Sequence, residues 1–201
     1  MNIKDIIKKI IRGNGYKLQQ LTPINDMWTL LDRLMVENKV NVVFDVGANS
    51  GQFFSEFCQN STNNISEYVC FEPLSEVFGI LKDTVKSKTN VKFDVKINNV
   101  ALGDFTGVAE LNITPNLVSS SLMRPSVKYY NHMTTVDTKL KFENIQVYRF
   151  DDFIFKSKND GIESAICNYK ENNYFLKIDT QGFELKVLKG FGDYLNLAKE
   201  I

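Results

Sequence analysis

Cysteine, histidine and tryptophan are scarce in this chain of 201 residues, which has three, one and one of them. The cysteines (Cys58, Cys70, Cys167) are odd in number and scattered, so they build no disulfide framework. They read as reduced, mostly buried thiols of a cytosolic protein. With one histidine, His132, and no cluster of His, Cys and carboxylates at ligand spacing, no metal site is expected. Excess charge of either sign is missing too. Lys+Arg and Asp+Glu both number 24, and without a global basic field no nucleic-acid partner is expected. No apolar run approaches the length of a membrane span, and no signal-peptide pattern is visible.

What the chain does have is 43% hydrophobic residues, enough at this length for one domain with a sizeable core. The stretch that organises it is residues 41–54, Asn-Val-Val-Phe-Asp-Val-Gly-Ala-Asn-Ser-Gly-Gln-Phe-Phe. The run at 42–46 reads as a strand of a parallel sheet, buried on both faces. Glycines and an asparagine follow, then apolar residues at helical spacing (Phe53, Phe54, Phe57). Strand, glycine turn and helix open a nucleotide-binding α/β unit, in which the helix N-terminus offers free N–H groups to a ligand.

The spacing Asp45-x-Gly47-x-Asn49-x-Gly51 lacks the middle glycine that a pyrophosphate requires. Asp45 adds negative charge beside the turn, which suits a cationic ligand such as S-adenosylmethionine (SAM). The competing reading is that Asp45 merely caps the next helix.

Residues 2–12 place Ile3, Ile6, Ile7, Ile10 and Ile11 on one helical stripe, with lysines and an arginine elsewhere. Such a helix either packs on its own domain or a partner, or lies on an anionic membrane surface at the inner face. A second helix is expected over about residues 24–38. Residues 1–38 are thus a helical segment packed on a domain spanning 39–201.

Residues 67–72 form a second strand, and Glu72 ends it about twenty residues past the glycine turn, where an acid can accept ribose hydroxyls. A solvated strand-end carboxylate is the alternative. Ser75 is the expected cap of a helix running to about residue 86. A third strand lies within 91–102, and Ala101-Leu102-Gly103-Asp104 at its end suits either a flat purine or a tight turn. Residues 107–113 are expected to pair as a hairpin with what precedes them. Residues 115–135 are irregular and hydroxyl-rich, a length of loop that tends to be functional or mobile. A strand at 145–150 and a charged loop at 156–172 follow. Residues 174–179 read as a buried strand that puts Asp179 at its carboxyl end, the edge where α/β sheets bind ligands. A helix follows, which Lys189-Gly190 is expected to close.

Four blocks in this order resemble the FkbM family of SAM-dependent methyltransferases: Phe44-Asp45-Val46-Gly47-Ala48-Asn49-Ser50-Gly51, Phe71-Glu72-Pro73, Ala101-Leu102-Gly103-Asp104, and Leu176-Lys177-Ile178-Asp179-Thr180-Gln181-Gly182-Phe183-Glu184 through Gly190. Ser119–Leu122 and Phe150-Asp151-Asp152-Phe153 add weaker likeness. The resemblance implies a Rossmann-like, mostly parallel sheet with helices on both faces. It also implies methyl transfer to an oxygen of a sugar, glycan or natural product. It puts Asp45, Gly47, Asn49, Gly51 and Gln52 around the methionine part of SAM, Glu72 at the ribose, Ala101, Gly103 and Asp104 at the adenine, and Asp179 near the methyl.

Family members continue beyond residue 190 with further strands, one of them central to the sheet. The expectation is therefore a sheet truncated at the C-terminus, with residues 176–179 presenting an uncovered edge and dimerisation through it. An alcohol acceptor must lose a proton, and Asp179 and His132 are the candidate bases. A nicotinamide-dependent oxidoreductase and a non-catalytic SAM-binding domain are the competing readings.

Overall fold

The computed structural model describes residues 23–113, 141–160 and 172–200. In chain order these form α1 (Pro23–Glu37), β1 (Val42–Val46), α2 (Gln52–Asn60), β2 (Glu67–Phe71), α3 (Ser75–Ser87) and β3 (Asp94–Asn98). Then come β4 (Ala101–Leu102), β5 (Gly107–Ile113), β6 (Lys141–Tyr148), α4 (Phe150–Asn159), β7 (Tyr174–Ile178), α5 (Glu184–Phe191), a 3-10 turn (Gly192–Leu197) and β8 (Ala198–Glu200).

Five strands form a parallel sheet in the order β3-β2-β1-β7-β8. β1 and β2 are buried along their whole length, as continuous apolar runs require in a sheet covered on both faces. Alternation along β1 divides its side chains between two cores. Val42, Phe44 and Val46 meet Phe150, Phe153 and Ile154 of α4 and Val187 and Phe191 of α5. Val43 lies on the other face with Trp28 and Met35 of α1, Phe54 and Phe57 of α2, and Leu81 of α3. Each such fully buried large side chain stabilises the fold by roughly 1.5–3 kcal/mol. The fold is α/β and Rossmann-like, with helices on both faces. The strand order reverses between β1 and β7, and such a reversal opens a crevice outside the strands' carboxyl ends.

α1 is integral to the second core. Trp28 stacks on Phe53 with ring centroids 5.3 Å apart. One turn later, Asp32 accepts hydrogen bonds from the Ser61 hydroxyl, the Thr62 N–H and hydroxyl, and the Asn63 amide, which ties the loop before β2 to the helix.

Several expectations are corrected. Strand β5 pairs antiparallel with β6, not with the segment before it, and β4 joins the same small sheet parallel to β6. The sheet packs Leu111, Ile145 and Val147 against Leu74 and Val77. Phe150 ends no strand: β6 stops at Tyr148, and Phe150, Phe153 and Ile154 instead form the buried stripe of α4. Ser75 does not cap α3. Leu74 occupies the cap position without a side-chain bond, while the Ser75 N–H and hydroxyl both turn to Glu143 of β6. Gly190 lies inside α5, which ends at Gly192 with φ 53°. The outer edge of β7 is not bare throughout, because β8 runs parallel beside it with Tyr174 opposite Ala198 and Phe175 opposite Glu200. Residues 2–12, 115–135 and 161–171, with His132 and Cys167, lie outside the described residues. Among the described residues no helix is long and apolar enough to cross a membrane.

Candidate functional site

A cleft enclosing about 630 Å³, its mouth included, opens at the carboxyl ends of β1, β2 and β7. Its floor is the turn after β1. Gly47 takes φ 74° and Asn49 φ 51°, so the chain reverses within a few residues. The Gly47 and Ala48 N–H groups both donate to the Phe71 carbonyl at 3.0 Å, and the Asp179 N–H donates to the Val46 carbonyl at 2.9 Å. A side chain at Gly47 would collide with the neighbouring strand end, since its Cβ would lie 2.0 Å from the Asp179 carbonyl oxygen.

Glu72 is the side chain that joins two of these strand ends. One carboxylate oxygen accepts from the Asn49 N–H and the other from the Leu74 N–H, each at 3.0 Å. The residue is 7% exposed. Burial pushes its carboxyl above the ordinary value, while the two N–H groups and the charge of Lys177 pull it back in part. Each oxygen keeps acceptor capacity beyond one N–H bond, so the carboxylate can also receive hydroxyls from a ligand. It is not a freely solvated strand end.

Gly47, Asn49, Glu72, Ala101 and Asp179 all line the cleft. Asp179 is exposed and its Oδ1 accepts from Gln181 Nε2 at 3.1 Å. The other expected cofactor residues stand outside the lining. Asp45 has no exposed surface and caps no helix. Its carboxylate lies 2.9 Å from Lys177 Nζ and accepts the Tyr68 hydroxyl at 2.9 Å. Gly51 lets α2 meet α3, where its Cβ would touch Thr84 and Leu81 at 3.0 and 3.1 Å. Gln52 is an exposed first residue of α2. Gly103 packs against Phe183 and Val147, and its carbonyl receives Gly190 of α5. Asp104 pairs with Lys186 at 3.7 Å.

The sequence reading missed the apolar wall of Val77, Val100, Leu111 and Phe183. It also passed over Lys177, although a signal was there. Asp45 and Lys177 each occupy the fourth position of a five-residue strand, and the register sets them side by side. Among the described residues, no group of three or more His, Cys, Asp or Glu could hold a metal ion.

A family model described as the methyltransferase FkbM domain matches residues 45–199. The chain belongs to the FkbM methyltransferase family. No curated protein matches the sequence. Among solved structures, the crystal structure of methyltransferase FkbM from Methylobacillus flagellatus KT is similar at 17% identity and a TM-score of 0.47. The likeness covers 78% of this FkbM-family chain and 30% of that one, so the chain spans under a third of that protein's length.

Proposed function

We propose that the chain binds SAM in the cleft and transfers its methyl group to an alcohol oxygen of a small-molecule or glycan acceptor. The observation that carries this reading is the cleft's charge. Two carboxylates, Glu72 and Asp179, line it, and among the described residues no Lys, Arg or His does. A site of that polarity favours a ligand with an ammonium and a sulfonium over one with a pyrophosphate, which would want cations or a free helix N-terminus.

The residues present fit the cofactor. Glu72 offers acceptors for ribose hydroxyls. The Gly47–Asn49 turn forms the polar side, while Ala101, Leu102 and Phe183 form an apolar wall suited to a flat base. When bound, SAM supplies an electrophilic methyl on a sulfonium sulfur. The protein's part is chiefly alignment and the exclusion of water, and positioning of this kind supplies several kcal/mol of barrier reduction. Asp179, exposed at the mouth and steadied by Gln181, would accept the proton that the acceptor hydroxyl loses. Hydroxyl acceptors of the sugar or natural-product class rest on the family resemblance alone.

Titration calorimetry with SAM, S-adenosylhomocysteine and NAD tests the cofactor. The first two should bind and NAD should not. NAD binding with no SAM heat would turn the reading to an oxidoreductase. SAM binding without methyl transfer to any hydroxyl acceptor would leave a cofactor-binding domain.

A further inference from the structure

Lys177 lies beneath the cleft floor and outside its lining. It reaches from β7 toward β1 and makes three contacts there. Its ammonium donates to the Gly47 carbonyl at 2.8 Å, stands 2.9 Å from Asp45 Oδ1, and lies 5.8 Å over the Phe53 ring. Asp45 is held from the opposite side by the Tyr68 hydroxyl. Burial first, and the charge of Asp45 next, push the Tyr68 phenol well above its ordinary value, so that hydroxyl remains a donor.

A largely buried ammonium has three N–H donors to satisfy, more than Asp45 alone engages. The further acceptor is the carbonyl of Gly47, the left-handed residue on which the turn pivots. The turn's N–H at Gly47 is fixed by β2 through the Phe71 carbonyl, and its C=O is fixed by β7 through Lys177.

We propose that Lys177 is a positioning residue for cofactor binding. Its ammonium clamps the Gly47 carbonyl, and Asp45 with Tyr68 keeps the ammonium in place. The proposal rests on the reading of the cleft as a SAM site, and it gives the Leu176-Lys177-Ile178-Asp179 block a second task beside Asp179. A preorganised turn presents its groups to the ligand without an ordering cost at binding.

The test compares Lys177→Met, Asp45→Asn and the double variant by thermal melting, amide hydrogen exchange at residues 47–49, and calorimetry with S-adenosylhomocysteine. Lys177→Met leaves a buried unpaired carboxylate and should melt well below the parent. The double variant removes both charges, so its melting temperature should recover. Its amides at 47–49 should still exchange faster, and its Kd should stay raised about tenfold, as loss of one charge-assisted bond predicts. Recovery of exchange and affinity along with stability would reduce Lys177 to a counter-charge and overturn the proposal. If the parent binds neither SAM nor S-adenosylhomocysteine, the reading of the cleft fails, and the exchange comparison alone decides the clamp. Should the double variant not fold, Lys177→Gln with Asp45→Asn replaces it. Gln is one atom shorter and uncharged, so the charge-assisted bond to the Gly47 carbonyl is lost, and the same readouts apply.

Discussion

The backbone at Gly47 and the carbonyl of Asp179 are pressed so closely that a methyl group at residue 47 would overlap the oxygen, at 2.0 Å. Gly47 also holds φ 74°. Gly47→Ala therefore meets both a left-handed backbone penalty and a collision, and should cost about 2–4 kcal/mol. Urea denaturation checks the loss. SAM should no longer raise the melting temperature of the variant, because the ends of β1 and β7 must part to admit the methyl.

Glu72 holds two backbone N–H groups. Glu72→Ala unpairs both and removes the ligand's acceptor, so cofactor binding should weaken by about 1–3 kcal/mol. Glu72→Gln should lose less, since one oxygen still accepts while its NH2 faces the other donor. Calorimetry ranks the pair, and equal negligible losses would return Glu72 to a purely local role.

Two carboxyls predict opposite pH trends. Burial raises Glu72, so the folded state binds that proton more tightly than the unfolded chain. Its contribution is fully present below the unfolded value and is lost as pH rises through the folded one. For Asp32, burial pushes upward, but bonds from Thr62, Ser61 and Asn63 together outweigh it and lower the carboxyl. Its contribution is present above the unfolded value and is lost as pH falls through the folded one. In a urea series from neutral pH downward, the parent should gain on Glu72→Gln and lose ground to Asp32→Asn. SAM affinity should also fall on the acid side as Glu72 protonates.

Two helical glycines should respond with opposite sign. Around Gly79 of α3 nothing lies within 4 Å of a new Cβ, so Gly79→Ala should stabilise by about 0.5–1 kcal/mol through helix propensity. At Gly190 the same atom would lie 1.8 Å from the Gly103 carbonyl oxygen. Gly190→Ala must lift α5 off the β4 turn and should destabilise. Paired melting curves decide both.

Strands β1, β2 and β7 are legible because each is a short apolar run with core on both faces, and the place of Gly47 and Glu72 in the cleft lining because they follow such runs at telling distances. What escaped was set by distant partners. The pairing of β5 depends on β6 across a segment of sequence that bears no hairpin signal. The start of α4 was hidden because Phe150 continues the apolar character of β6 while its helical partners, Phe153 and Ile154, come later. Asp45 looked like a ligand's counter-charge because its own counter-charge, Lys177, sits on another strand. Gly103 looked like room for a purine because the helix that fills that room comes much later in the chain.

Lys177 and Gly47 are 130 residues apart, and this separation dictates an order of events as the chain is made. β1, α2 and β2 are synthesised long before β7. Until β7 docks, Asp45 has no cation, and closing an apolar core over it would strand a charge. The early half is thereby expected to stay open at its centre, its aspartate in water and its glycine turn fastened on the β2 side alone. Closing so long a loop is slow and entropically costly, but a single docking step then fastens the turn, neutralises Asp45 and joins the two sides of the cleft. The amides at residues 47–49, whose partners Phe71 and Glu72 lie at the end of β2, should accordingly reach full protection only in the kinetic phase that protects residues 174–178.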